Sequence, residues 1–157
     1  MSVKPARLAL IAIPALLALL VFYPTDEKRV REAAEALLDG ANQGGPQLGA
    51  ALERYAVPSV SVTVAELSEA LEGREMLVGA LMQARALGQK PSFRADAVDI
   101  TIEGNRARVN ADLVTAQAQA TIAPRHAVAL FEKRGGRFQL VSAEIGATRR
   151  DEPEARP

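Results

Sequence analysis

The chain of 157 residues is 48% hydrophobic and 24% charged, a length that suits one domain plus a targeting segment. It has no Cys and a single His, which excludes a disulfide framework, a thiolate metal site and a lipid-modified cysteine, so neither metal nor cofactor is expected. Beyond Lys4 and Arg7 there are 17 basic against 19 acidic residues, a balance that excludes nucleic acid as a partner because no basic surface is left to displace counterions.

Leu8 to Tyr23 is a run of sixteen uncharged, mostly apolar residues. As a helix it covers roughly 24 Å, short of the ~30 Å hydrocarbon core, a mismatch that Arg7 and Tyr23 can absorb at the two interfaces. The run also suits a signal-peptide core. Its exit, Leu19-Leu20-Val21-Phe22-Tyr23-Pro24, is bulky where a cleavage site wants small residues, which favours an uncleaved signal anchor over residues 1–24. Lys4 and Arg7 precede the run, and the basic residues after it come with acidic neighbours. The expected topology is therefore a single-pass inner (cell) membrane protein, held through residues 8–23, with everything after Pro24 extracytoplasmic. Arg outnumbering Lys suits a bacterial source, for which that side is the periplasm or its equivalent.

Thr25 is a suitable N-cap, with Asp26 and Glu27 placed to favour the helix dipole. Val30, Ala34, Leu37 and Ala41 repeat at helical spacing, and Gly40 to Pro46 is expected to stop that helix. A second helix carries Leu48, Leu52 and Tyr55 on one side. Val60, Val62 and Val64 alternate with Ser61 and Thr63 as a half-buried strand. After Gly73, a third helix is marked by Met76, Leu77, Ala80, Leu81, Ala84 and Leu87, closed by Gly88 and Pro91.

From Ser92 the period becomes two. A turn at Gly104-Asn105 pairs Glu103 with Arg106, Ile102 with Ala107 and Ile100 with Val109, and sorts the hairpin into an apolar and a polar face. Phe93 and Ala95 fall out of phase with Val98, which predicts a bulge near Ala95 to Ala97. Residues 113–125 alternate as one long strand. A turn at Gly135-Gly136 pairs Lys133 with Phe138, Phe131 with Leu140 and Ala127 with Glu144, leaving both faces of the last hairpin apolar in the middle. One face then needs a cover, and Phe131, Phe138 and Leu140 are expected as a homodimer interface or a contact within an envelope complex. Residues 148–157 read as a disordered tail.

Helices first and an antiparallel meander last give an α+β domain over residues 25–147, its N-terminal helices laid on a curved antiparallel sheet behind one transmembrane helix. The Glu27-x-x-Val30 helix start, the Gly73-Arg74-Glu75 step and the ending Lys133-Arg134-Gly135-Gly136-Arg137-Phe138-Gln139-Leu140-Val141 resemble the nuclear transport factor 2-like (SnoaL-like, cystatin-like cone) superfamily. Phe138 stands where that superfamily often has Trp. The resemblance implies a cone with an interior, and activities as different as isomerase, hydrolase and scaffold, so it fixes no function.

The superfamily's enzymes place Asp, His, Tyr or Arg inside the cone. By that analogy Tyr55, Asp96 and His126 are the candidate ligand-binding residues, with Asp96 turned inward if the bulge lies near Ala95 to Ala97. A His126–Glu144 dyad fails in the expected register, which puts the two on opposite faces. No catalytic residue is assigned. The sequence thus points to a membrane-anchored binding or scaffold domain without catalysis that self-associates through its sheet and has room for a small apolar ligand. The alternative is a small-molecule enzyme of isomerase or hydrolase type using the cone.

Overall fold

The computed structural model describes residues 25–117 and 120–148, and the side chains of all of these except 120–122, 147 and 148. The anchor expected at residues 1–24, and the expected tail apart from Thr148, lie outside the described residues. Among the described residues no helix is long and apolar enough to cross a membrane.

Helix α1 spans Asp26–Gln43, and the Thr25 hydroxyl accepts from the Lys28 N–H at its start. Gly40 does not end it. That glycine is buried within the helix, where an added Cβ would stand 3.0 Å from the Gln47 carbonyl oxygen and from the Ala51 Cβ, so it lets α1 and α2 approach closely. The break comes at Gly44, whose φ of 145° lies where residues with a side chain are strained. Helix α2 follows as Gly45–Tyr55, then strand β1 as Ala56–Val64, the two-residue β2 as Leu71–Glu72 and helix α3 as Arg74–Ala86. Leu77, Ala80, Leu81 and Ala84 of α3 face inward, whereas Met76 and Leu87 point to solvent.

The remaining strands are β3 (Ser92–Glu103), β4 (Arg106–Gln117), β5 (Ala120–Arg134) and β6 (Arg137–Thr148). They form one sheet in the order β2-β1-β6-β5-β4-β3. It is mixed, not purely antiparallel, because β1 runs parallel to β6. Nor do residues 113–125 make one strand: β4 pairs with β5 as far as Gln117 and Ala120, so the chain reverses there. Five register shifts interrupt the ladder, and three of them set which side chains share a face. Ala97, with φ 50°, lies in the bulge between Asp96 and Asp99. Ala123 and Pro124 stand opposite the single residue Val114, so the proline sits in a bulge, a position that β-strands allow it. Val141 is the extra residue between the pairs Phe131–Leu140 and Leu130–Ser142.

The predicted register of the β3–β4 hairpin is observed from Glu103–Arg106 through Asp99–Asn110. In the last hairpin Lys133–Phe138 and Phe131–Leu140 pair as expected, and the Val141 bulge then shifts the rest by one. Ala127 meets Ile145, and Val128 meets Glu144.

The core lies between the helices and one sheet face. It gathers Val30, Ala33, Leu52, Val57, Val60 and Val109 around Phe131, which is 2% exposed. Phe138 and Leu140 belong to the same cluster. The expectation that Phe131, Phe138 and Leu140 form an interface is therefore corrected: they are core, and the face left open is the one bearing Leu130, 44% exposed.

Polar side chains fasten the helical layer around its edge. Asn42 donates from Nδ2 to the Phe93 carbonyl (2.8 Å) and accepts at Oδ1 from the Phe93 N–H (2.6 Å), tying the end of α1 to the edge strand β3. Arg85 donates to the Asn42 carbonyl at 2.8 Å, and Arg74 donates from Nε to the Ala56 carbonyl at 3.2 Å, so arginines of α3 satisfy the last carbonyls of both α1 and α2. At the far end Lys133 Nζ stands 3.1 Å from Asp26 Oδ1 and 5.6 Å from the centre of the Phe138 ring.

Two outcomes are expected in urea unfolding. Phe131→Ala lowers stability by about 3–5 kcal/mol while Leu130→Ala stays within about 0.5 kcal/mol, the reverse of what an interface at Phe131 would give. Asn42→Ala costs about 1–3 kcal/mol, because it leaves the Phe93 amide and carbonyl without their partner.

Candidate functional site

Fastening at the edge leaves an apolar cleft along the middle of the cone. About 560 Å³ in volume and open to solvent, it lies between the helices and the sheet, within the usual size range for a small-molecule site. Twenty-two described residues line it, and all except Thr115 and Arg125 are apolar. Ala34 and Ala41 of α1, with Ala80 and Ala84 of α3, form much of the helical wall. Phe131, Leu113 and Leu140 form the floor on the sheet.

The polar end is built by the strands. Arg125 pairs across the ladder with Leu113, and Thr115 is two residues further along the same face of β4. The Arg125 Nη1 donates to Glu66 Oε2 at 2.7 Å. Glu66 belongs to the loop from β1 to β2, which joins two lining residues, Val64 and Leu71. The side chains of Arg125 and Glu66 are 23% and 50% exposed, so the cavity meets solvent at this end.

None of the three candidates named from the sequence lines this cavity. Tyr55, at the C-terminus of α2, packs against the core with the Arg54 guanidinium 5.2 Å from its ring centre. The register shift falls between Asp96 and Asp99, so Asp96 stays in phase with Arg94 and faces outward opposite Asp112. Arg94 binds it there at 2.9 and 3.0 Å, and this hydrogen bond, followed by the charge of Asp96, raises the guanidinium above its ordinary pKa. His126 is also on the outer face, its Nδ1 3.9 Å from Asp112 Oδ1, with both side chains well exposed. The Val141 bulge carries Glu144 to that same face, so the geometric objection to a His126–Glu144 dyad falls; no contact between the two is among the described ion pairs, where His126 meets Asp112. Arg125 and Glu66 were missed. Counting back by twos from Phe131 through Ala129 and Ala127 places Arg125 on the inner face, so a signal existed once the inner side was known.

The outer face has its own shallow concavity of about 440 Å³, in which Leu130 and Val141 are ringed by Thr101, Glu103, Arg106 and Arg108. Its residues are paired in rows: Glu103–Arg106–Glu132 along one, Thr101–Arg108–Leu130 along the next.

No family model matches the chain, and no curated protein matches it. Solved structures do. A nuclear transport factor 2-like protein with a cystatin-like fold from Novosphingobium aromaticivorans shares 19% identity over 91% of each chain, with a TM-score of 0.69. A protein of unknown function of the same family from Pseudomonas putida shares 12% identity over 78% of this chain and 87% of its own, at a TM-score of 0.63. A candidate dehydratase of that family from Streptomyces avermitilis shares 15% over 80% and 98%, at 0.62. At these identities the likeness speaks for architecture alone. The element order, the helices on one sheet face and the hollow between them, taken with these neighbours, give the chain the cystatin-like α+β fold of nuclear transport factor 2-like proteins.

Proposed function

We propose that the domain is a binding module without catalysis, which holds a small apolar ligand in its cone and is carried outside the cell membrane on an N-terminal anchor. The observation that supports the binding reading is the cavity wall, apolar at all but two of its described positions. Burying apolar ligand surface against such a wall is favourable by roughly 25 cal/mol per Å², and needs no polar partner until the polar end is reached. General acid–base chemistry on a ligand in the middle of the cone would need an ionisable group there, and the described lining offers Arg125 alone, at one end. The anchor rests on the sixteen-residue apolar run and its flanking charges.

A second reading is favoured by the outer sheet face. Leu130 on β5 and Val141 on β6 lie beside Arg106 and Arg108 of β4, and Glu103 and Glu132 flank Arg106 within its row. A twofold partner would cover the apolar centre of this face. Self-association through Leu130 replaces the interface first expected at Phe131. A catalytic alternative, of isomerase, hydrolase or dehydratase type, would have to draw on Glu66, the carboxylate beside the cavity's polar end.

The cavity is tested by filling it. In a fragment starting at Thr25, Ala84→Phe should abolish the fluorescence gain of a neutral naphthylamine dye that the parent fragment binds, with no fall in unfolding midpoint. A dye signal that survives the substitution places binding elsewhere. The face is tested by sedimentation: the parent fragment should dimerise at tens of micromolar, and Leu130→Glu should weaken this at least tenfold while the domain stays folded. A strict monomer removes the dimer.

A further inference from the structure

We infer that the ligand of the cone is a single-chain amphiphile with a carboxylate head, and that this head replaces Glu66 on Arg125. The inference rests on the apolar-ligand reading and adds the chemistry of one end.

Four observations carry it. First, the cavity is chemically lopsided: its two polar lining residues, Arg125 and Thr115, lie close together on the inner face of β4 and β5, and the other described walls are aliphatic or aromatic. A wholly apolar molecule would make no use of Arg125 and Thr115 at the polar end, and a molecule polar along its length would leave its own groups unpaired against Leu and Val. A long apolar tail with one polar end fits both parts.

Second, the sign of that end is set by Arg125. A guanidinium keeps its charge at any physiological pH, donates only, and presents its N–H groups in a planar fork matched to two carboxylate oxygens. Among the described residues one of its five donors is engaged, by Glu66. Room therefore remains for a second acceptor, and the Thr115 hydroxyl can add a donor.

Third, the chain already places a carboxylate on this guanidinium. The Glu66–Arg125 contact at 2.7 Å is the internal version of the proposed complex, and it favours a carboxylate over a larger head.

Fourth, Glu66 can leave cheaply. It is carried by the β1–β2 loop, its side chain is 50% exposed, and an ion pair so open to water contributes little net stability. A ligand carboxylate brought in by its buried tail gains the same charge-assisted contact with less solvent around it, while Glu66 recovers its hydration in water. Glu66 thus acts as a stopper that holds Arg125 in place while the cone is vacant. No bond is made or broken, and the exchange swaps one ion pair for another.

The test uses the full chain in lipid nanodiscs and three photoreactive probes of equal chain length: a diazirine fatty acid, its methyl ester and the corresponding alkyl phosphate. Crosslinked peptides are mapped by mass spectrometry. The expected result is crosslinking of the fatty acid to wall residues such as Leu77, Leu81 and Leu113, half-saturating at a concentration at least about tenfold below the ester, as loss of a charge-assisted hydrogen bond implies. Arg125→Gln should bring the fatty acid to the level of the ester and leave the ester unchanged. Glu66→Gln should strengthen fatty-acid crosslinking severalfold by removing the competitor. Equal saturation by acid and ester in the parent protein, or an acid preference that survives Arg125→Gln, overturns the carboxylate assignment while leaving the apolar-ligand reading intact. A preference for the phosphate overturns the choice of head. Weaker acid binding in Glu66→Gln overturns the displacement. Cavity crosslinks from none of the three probes overturn the inference and the apolar-ligand reading together.

Discussion

Asn42 fixes how far the helical layer stands from the sheet. Its amide takes both the N–H and the carbonyl of Phe93, so the end of α1 cannot slide along or lift from the edge strand without breaking two hydrogen bonds. Arg85 then anchors α3 to the same end of α1, Arg74 anchors it to the end of α2, and Lys133 ties the start of α1 to the last hairpin. These contacts ring the interface and leave its middle to side-chain packing alone. The helical wall there mixes six leucines with four alanines. With aromatic residues at 4% of the chain and no Trp, and with alanine at those four positions, the groove that the rim holds open is not filled. A hollow of this kind forgoes dispersion contacts on its inner surface, so a molecule that fills it stabilises the fold in proportion to its affinity.

The same rim explains why the two sheet faces were hard to tell apart. In β5 and β6 both faces carry aliphatic residues, so alternation ranks neither as the inner one. The decision comes from the helices, whose apolar stripes must meet the face that includes Phe131 and Leu140, and that is a tertiary fact. The β3–β4 hairpin was legible because its outer face is charged at Asp99, Arg108 and Glu103, which leaves one choice of register and side. The Ala97 bulge was legible too, since Phe93 and Val98 can share a face only if one residue is added between them. The Val141 bulge carries no such mark: Leu140-Val141-Ser142 contains no glycine or proline, and only the partner strand reveals the slip. The reversal between Gln117 and Ala120 is equally unsigned, because Ala118-Gln119 offers none of the usual turn residues.

The site followed from those faces. Asp96 and His126 were singled out for their chemistry, and both stand outside because each lies at an even step from an outward residue of its strand. Neither Arg125 nor Glu66 was singled out from the sequence, and the approach of Glu66 to Arg125 spans 59 positions, a separation that no local pattern encodes. Geometry also orders the molecule along β5. The start of α1 lies beside Lys133, eight residues from Arg125, or roughly 25 Å along a strand.

The account stands on an apolar cleft between the helices and the sheet, and xenon reports on that directly, since it enters apolar cavities and avoids polar ones. Crystals pressurised with the gas should show xenon density between α3 and the sheet, within van der Waals distance of Leu77, Leu81 and Phe131. A pressurised crystal in which these side chains meet one another and no xenon lies among them would contradict it.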